Sequence, residues 1–103
     1  MIKPTVGRVV WYYPSAEEMT HGLPMVGTEL AAIIAHVYDD TIVNLMVIDS
    51  NGNPHSRQSV HLDQHDQRDD AGAYCRWMPY QKGQAAKTEQ LERALDAGAS
   101  FAA

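Results

Sequence analysis

Five short segments of the chain carry the pattern of apolar positions that is typical of β-strands. They are rich in β-branched and aromatic residues, and glycine, proline, asparagine or aspartate bounds most of them. Short strands joined by turns favour closure into a barrel, because closure leaves few exposed edges. The predicted strands are Val6–Tyr13, Leu30–Tyr38, Ile42–Asp49, Gln58–Leu62 and Ala73–Met78.

Two hairpins are predicted in the middle of the chain. Asp39, Asp40 and Thr41 separate the second and third strands, and the segment Ser50–Pro54 contains an Asn-Gly pair. Asn-Gly favours the positive φ angles of a tight turn, so these strands are expected to pair antiparallel. The first strand has apolar residues at both parities, which predicts that both of its faces are covered.

Residues 14–28 contain two prolines and two glycines and predict a long first loop. The loop is less polar than a linker, and two interpretations of its apolar side chains stay open. They form a lid over one end of the barrel, or they form a contact surface for a partner protein. These side chains are Met19, Leu23, Met25 and Val26.

The composition changes beyond Lys82, where alanine, glutamine, glutamate and lysine become frequent. Thr88–Ala97 has a capping residue and helix formers, and therefore predicts a short amphipathic helix. We divide the chain into a β-barrel domain at 1–81 and a partly flexible tail at 82–103. The predicted fold is mainly all-β: a small antiparallel barrel of about five strands, SH3-like in its strand count and long first loop, with a short C-terminal helix.

The charge balance and the cysteine content narrow the class of protein. The 103 residues include 13 acidic and 8 basic side chains, a formal net charge of −5, which disfavours binding to a nucleic-acid polymer. No apolar run is long enough to span a bilayer. The single cysteine, Cys75, has no internal disulfide partner, and no secretion signal is recognisable, so we expect a cytoplasmic protein.

Groups suited to catalysis are few. His61, Asp63 and His65 would share one face of an extended segment and could ligate a divalent metal in a hydrolase, but the site would need a further ligand from elsewhere. Cys75 lies in a predicted strand, where cysteine usually packs as a small apolar group. The sequence contains no serine nucleophile elbow and no phosphate-cradling glycine loop, so we predict no enzyme activity and no cofactor.

Aromatic side chains give the stronger candidates for a binding site. Tryptophan and tyrosine dominate protein interfaces energetically, and the sequence offers Trp11, Tyr13, Trp77 and Tyr80. The segment around Trp77 and Tyr80 also fits a closing strand that plugs the barrel.

Three polar residues extend this set. His36 and Asn44 lie among apolar neighbours, where a buried polar group needs a hydrogen-bond partner. Either they satisfy each other or the backbone, or they point with Arg8 into a pocket lined by Trp11, Tyr13 and Trp77.

Four segments of the chain form a recognisable set: Lys3–Val10 (KPTVGRVV), Leu30–Ile34, Val43–Leu45 and Trp77–Ala85 (WMPYQKGQA). Together they resemble a group of small proteins encoded by tailed bacteriophages and prophages. The resemblance implies a phage accessory protein that acts in the cytoplasm of the bacterial host, and it implies no catalytic residue. Small phage proteins of this kind often bind a host protein or a defence signal.

Two hypotheses of function follow. The first is a non-enzymatic accessory protein, as in counter-defence, that engages a host protein through residues 14–28 and the four aromatic side chains. The alternative is an oligomeric binder of a small anionic, nucleotide-like ligand, contacted by Arg8, His36 and Asn44 with the tryptophans stacked against it. The metal-dependent hydrolase is the weakest of the candidates.

Overall fold

The computed structural model describes residues 1–65 and 72–96, with side chains as far as Leu91. Five strands close into a barrel in chain order, which confirms the mainly β fold and its C-terminal helix. The elements are β1 (Val9–Tyr13), α1 (Ala16–Thr20), β2 (Leu30–Asp39), β3 (Ile42–Ile48), β4 (Pro54–Leu62), β5 (Tyr74–Arg76) and α2 (Pro79–Asp96).

The strands pair antiparallel except at one junction. β1 to β4 follow one another through the predicted hairpins, apart from the long connection between β1 and β2. β5 then pairs antiparallel with β1 and parallel with the end of β4, where His61 lies opposite Tyr74 and Leu62 opposite Cys75. This short parallel contact closes the barrel.

Side chains from all five strands fill the interior. Leu23 and Met25 from the long loop pack against this core. The prediction that both faces of the first strand are covered is wrong, because Val9 is 37% exposed and Val6 is 66% exposed. The core consists of Val10, Tyr12, Leu30, Ala32, Ile34, Val43, Leu45, Val47, Val60, Leu62, Cys75 and Trp77.

Two irregularities interrupt the regular alternation of the sheet. On β2 the register shifts between Ile34 and His36, so His36 is exposed although Ile34, two positions earlier, is buried. On β4 two residues, Gln58 and Ser59, lie opposite Asn44 alone. Ser59 has a φ of 53°, in the left-handed region that one residue of a β-bulge often adopts.

The C-terminal helix begins earlier than the sequence prediction, at Pro79 rather than Thr88. Proline suits the first helical position, and the side chain of Gln81 accepts a hydrogen bond from the backbone N–H of Met78 at 2.8 Å. The predicted domain boundary at 81/82 therefore falls inside α2, and the predicted tail beyond residue 96 lies outside the described residues. In the described part of the chain, no helix has the length and apolarity that crossing a membrane requires.

Candidate functional site

The seven predicted binding residues occupy three places on the barrel rather than one pocket. Trp11 and Tyr13 lie on the outside of β1, and His36 and Asn44 lie on the paired strands β2 and β3. Arg8, Trp77 and Tyr80 lie where the N-terminal segment meets the start of α2.

A continuous apolar surface covers the outer side of β1, β2 and β3. On this side, Ile33 of β2 lies opposite Val9 of β1 and opposite Met46 of β3. Ala31 of β2 likewise lies opposite Trp11 and opposite Ile48. Directly opposed residues have Cβ atoms about 5 Å apart, so these side chains adjoin one another. Met46 is 40% exposed, and Trp11, Ile33 and Ile48 are half-buried. We call the five residues Val9, Trp11, Ile33, Met46 and Ile48 the outer apolar face.

Polar and aromatic groups border the outer apolar face beside Trp11. Arg76 lies opposite Trp11, and its guanidinium lies 5.0 Å from the ring centroid of Tyr74 and 5.6 Å from that of Tyr13. The two tyrosine rings are stacked, with centroids 4.8 Å apart. The Nε of Arg76 donates to buried Asp63 at 2.8 Å. An apolar centre with a polar, aromatic rim has the composition of a protein interface.

His36 and Asn44 lie opposite each other but do not enter a pocket with Arg8. Asn44 accepts a hydrogen bond from the backbone N–H of Ser59 at 2.9 Å and donates to the hydroxyl of Tyr38 at 3.3 Å. The His36 ring meets the edge of Tyr38 with centroids 4.7 Å apart. Asn44 thus satisfies the backbone of the β4 bulge, which is the structural alternative that the sequence left open.

Arg8 and Tyr80 line a groove of about 700 Å³ between the N-terminal segment and α2, and Trp77 contacts Arg8 from outside this lining. The guanidinium of Arg8 lies 5.7 Å from the ring centroid of Trp77. Trp77 is buried, and its indole Nε1 donates to Oε1 of Gln64 at 3.0 Å. Tyr80 is 73% exposed at the groove wall. The side chain of Gln81 donates to the carbonyl oxygen of Val9 at 2.7 Å and fixes α2 to β1.

Two of the candidates for catalysis or metal binding, Asp63 and Cys75, are buried. Asp63 is engaged by Arg76, and it also accepts a hydrogen bond from the backbone N–H of His65 at 3.3 Å. Within residues 1–65 and 72–91, no three histidine, cysteine or acidic side chains form a cluster that could hold a metal ion. Burial raises the pKa of the Cys75 thiol to about 12, so at neutral pH this group is protonated and a poor nucleophile.

The sequence analysis missed a polar network that holds α1 against the barrel. Glu18 accepts hydrogen bonds from the hydroxyl of Tyr12 at 2.7 Å and from Nε of Arg57 at 2.6 Å. It also completes a capping box with Ser15. The Ser-x-x-Glu spacing could have revealed the capping box, whereas nothing local links Glu18 to Arg57, which is 39 positions away.

A second missed pair lies near this network. Buried Asp49 binds Nε2 of His55 at 2.7 Å and accepts backbone hydrogen bonds from Asn51 and Asn53 within the turn. His55, Arg57 and Glu18 line a cleft of about 320 Å³ between α1 and β4. Asp49 therefore stabilises the tight turn, because both of its backbone donors belong to that turn.

The long loop fits both interpretations of its apolar side chains in part. Leu23 and Met25 pack against the core, as a lid would. Met19 is 51% exposed and Val26 is 87% exposed, so these two remain available for a partner.

Comparisons of the chain with protein family models, with curated proteins and with solved structures find no match. The function must therefore be argued from the geometry. Among the described residues, the outer apolar face and the groove beside Arg8 are the candidate binding surfaces.

Proposed function

We propose that the protein is a non-enzymatic binding protein of phage origin that engages a protein of the bacterial host through the outer apolar face. One observation carries the proposal above all others. Large apolar side chains lie exposed or half-buried on three adjacent strands, although inward-facing residues already fill the barrel core. Contiguous apolar surface with a polar rim is typical of sites that bind proteins.

The residue types on this surface support a protein partner. Tryptophan, tyrosine, methionine and arginine are enriched at protein interfaces, and tryptophan, tyrosine and arginine are frequent among the residues that dominate affinity. Trp11, Met46 and Arg76 supply three of these types, and the Tyr13–Tyr74 stack supplies the fourth. Strand pairing fixes the backbone that carries these side chains, so docking would not require the chain itself to become ordered.

The phage origin and the bacterial host rest on the resemblance of KPTVGRVV and WMPYQKGQA to proteins of tailed phages. A net charge of −5 supports a protein partner over a nucleic-acid polymer. Counter-defence is the activity that this origin suggests.

The experiment is affinity capture from bacterial lysate, followed by binding measurements with the purified captured protein. Met46→Glu places a charge on the β3 side of the outer apolar face, on a side chain exposed enough for the fold to tolerate it. We expect this variant to weaken binding of the captured protein by about tenfold or more, because a desolvated unpaired charge costs several kcal/mol.

Two matched controls place a glutamate on exposed apolar residues elsewhere. Val26→Glu changes the long loop, and Leu91→Glu changes α2. Both should bind as the unmodified protein does. Unchanged binding by Met46→Glu would overturn the proposed surface, and loss of binding by Val26→Glu alone would assign the partner to the loop at 14–28 instead.

A further inference from the structure

A second binding site is suggested by the groove between residues 1–8 and the first turns of α2. We infer that this groove binds a small phosphorylated ligand with a planar ring, of the nucleotide class, with the phosphate on Arg8 and the ring on Tyr80. The inference rests on charge, on shape and on an exposed aromatic ring. It is independent of the outer apolar face.

The groove is positively charged in an acidic protein. Lys3 and Arg8 line it, and Glu89 is its one acidic residue among the side chains that the structure describes. Within residues 1–65 and 72–91, no carboxylate forms an ion pair with Lys3 or Arg8. Two cations with no carboxylate partner among the described side chains attract an anion from solution, and the guanidinium fork of Arg8 matches the geometry of phosphate.

Arg8 is also held in position. Its guanidinium makes a cation–π contact with Trp77, whose indole is buried and hydrogen-bonded to Gln64. A cation fixed on an aromatic ring loses less side-chain entropy when it binds a ligand than a freely rotating one does. Trp77 therefore acts as a platform beneath the phosphate-binding arginine rather than as the stacking partner of the ligand.

The remaining lining residues suit a ring and a sugar. Tyr80 is 73% exposed, so one ring face is free to stack on a base. Gln84 lies between Tyr80 and Thr88 along the groove, and within residues 1–65 and 72–91 its amide makes no side-chain hydrogen bond. The volume of about 700 Å³ lies in the range of small-molecule sites.

ADP is the probe for this site, with adenosine and inorganic pyrophosphate as its separate parts. In the Trp11→Phe variant Trp77 is the remaining tryptophan of the chain, so its fluorescence reports movement of Arg8. Calorimetry on the unmodified protein gives the affinity. We expect saturable binding of ADP that is tighter than the binding of either part.

Matched variants identify the residues involved. Arg8→Gln should weaken ADP binding about tenfold or more, since it removes a charge-assisted contact. Tyr80→Ala should weaken it about fivefold or more, since it removes a stacking partner. Lys87→Gln, which changes an exposed lysine of α2 that does not line the groove, should leave the affinity unchanged.

Three results would overturn the inference. The first is the absence of saturable heat at millimolar ADP in protein that circular dichroism shows to be folded. The second is an Arg8→Gln variant with unchanged affinity. The third is pyrophosphate binding as tight as ADP binding, which would remove the role of the ring.

Discussion

Replacing Glu18 by glutamine tests whether the network around α1 stabilises the barrel. The carboxylate accepts three hydrogen bonds, from the Tyr12 hydroxyl at 2.7 Å, the Ser15 backbone N–H at 2.8 Å and the Arg57 Nε at 2.6 Å. Glutamine has nearly the same shape but carries no charge and has one acceptor oxygen instead of two. The substitution therefore weakens all three contacts while changing the packing little.

The expected loss follows from the exposure of the partners. A hydrogen bond to a charged group contributes about 1.5–3 kcal/mol. The side chains of Glu18 and Arg57 are 19% and 29% exposed, so water screens part of their attraction. Since glutamine retains some hydrogen bonding, we expect the free energy of unfolding to fall by about 2 kcal/mol, or Tm to fall by about 10 °C.

Chemical denaturation followed by circular dichroism measures this change, and Tyr12→Phe completes a double-mutant cycle. Tyr12→Phe alone should cost about 1 kcal/mol, and the double variant should lose less than the sum because both changes remove the same bond. Glu17→Gln is the matched control, since the adjacent glutamate is exposed, and it should change stability by less than about 0.5 kcal/mol. Equal effects of Glu17→Gln and Glu18→Gln would refute the reasoning.

Three further outcomes are expected. Burial tends to raise the pKa of Glu18, but its hydrogen bonds outweigh burial and lower the pKa, and the His55 hydrogen bond lowers the pKa of Asp49. In acid the unfolded chain therefore binds more protons than the folded protein does. Tm should stay constant above about pH 5 and fall below it, and the fall should be less steep in Glu18→Gln. Because burial raises the pKa of the Cys75 thiol to about 12, iodoacetamide at pH 8 should label it in denaturant but not in the native protein, and rapid native labelling would contradict this burial. Ser59 has a left-handed φ, so Ser59→Gly should leave the free energy of unfolding unchanged or raise it by up to about 1 kcal/mol. Ser59→Val should lower it by at least about 1 kcal/mol in the same denaturation experiment. Equal stabilities of the two variants would argue against the bulge.

The central hairpin could be predicted closely because its signals are local. The predicted strands Leu30–Tyr38 and Ile42–Asp49 differ from β2 and β3 by one residue at one end each. Apolar segments, the second dense in valine and isoleucine, and the polar connection Asp39–Thr41 define the two strands, and Asp39 accepts hydrogen bonds from Thr41 at the turn. These features act within a few residues, so no tertiary information is needed to recognise them.

The orientation of His36 could not be predicted in the same way. Strict alternation from Ile34 places His36 inside, but the register shift between these two residues reverses the alternation. Such a shift depends on the pairing with β3, whose Asn44 also lies opposite the bulge on β4. A pattern read along one strand contains no information about irregular pairing with another.

The candidate sites differ in how far the sequence revealed them. Arg8, Trp77 and Tyr80 were each identified as binding residues, but their meeting depends on the pairing of β5 with β1, which no local signal indicates. The helix start at Pro79 was missed although a proline followed two positions later by glutamine is a recognisable N-terminal signal. The sequence analysis instead fits the segment around Trp77 and Tyr80 to a closing strand and finds frequent helix formers only beyond Lys82.

The outer apolar face follows from the geometry of a small barrel. The interior accepts one side chain of every two along a strand, and in β1 it takes Val10 and Tyr12. The sequence VVWYY is apolar at both parities, so Val9 and Trp11 must lie outside, and a slip of one residue would only exchange one apolar set for the other. The pattern therefore requires an apolar set on the outside of β1, but tertiary structure decides whether another element covers that set, and here Val9 stays 37% exposed. Since the core does not include the exposed Met46 side chain, Met46→Glu should leave the barrel folded, so any weaker binding by this variant would report on the surface and not on the fold.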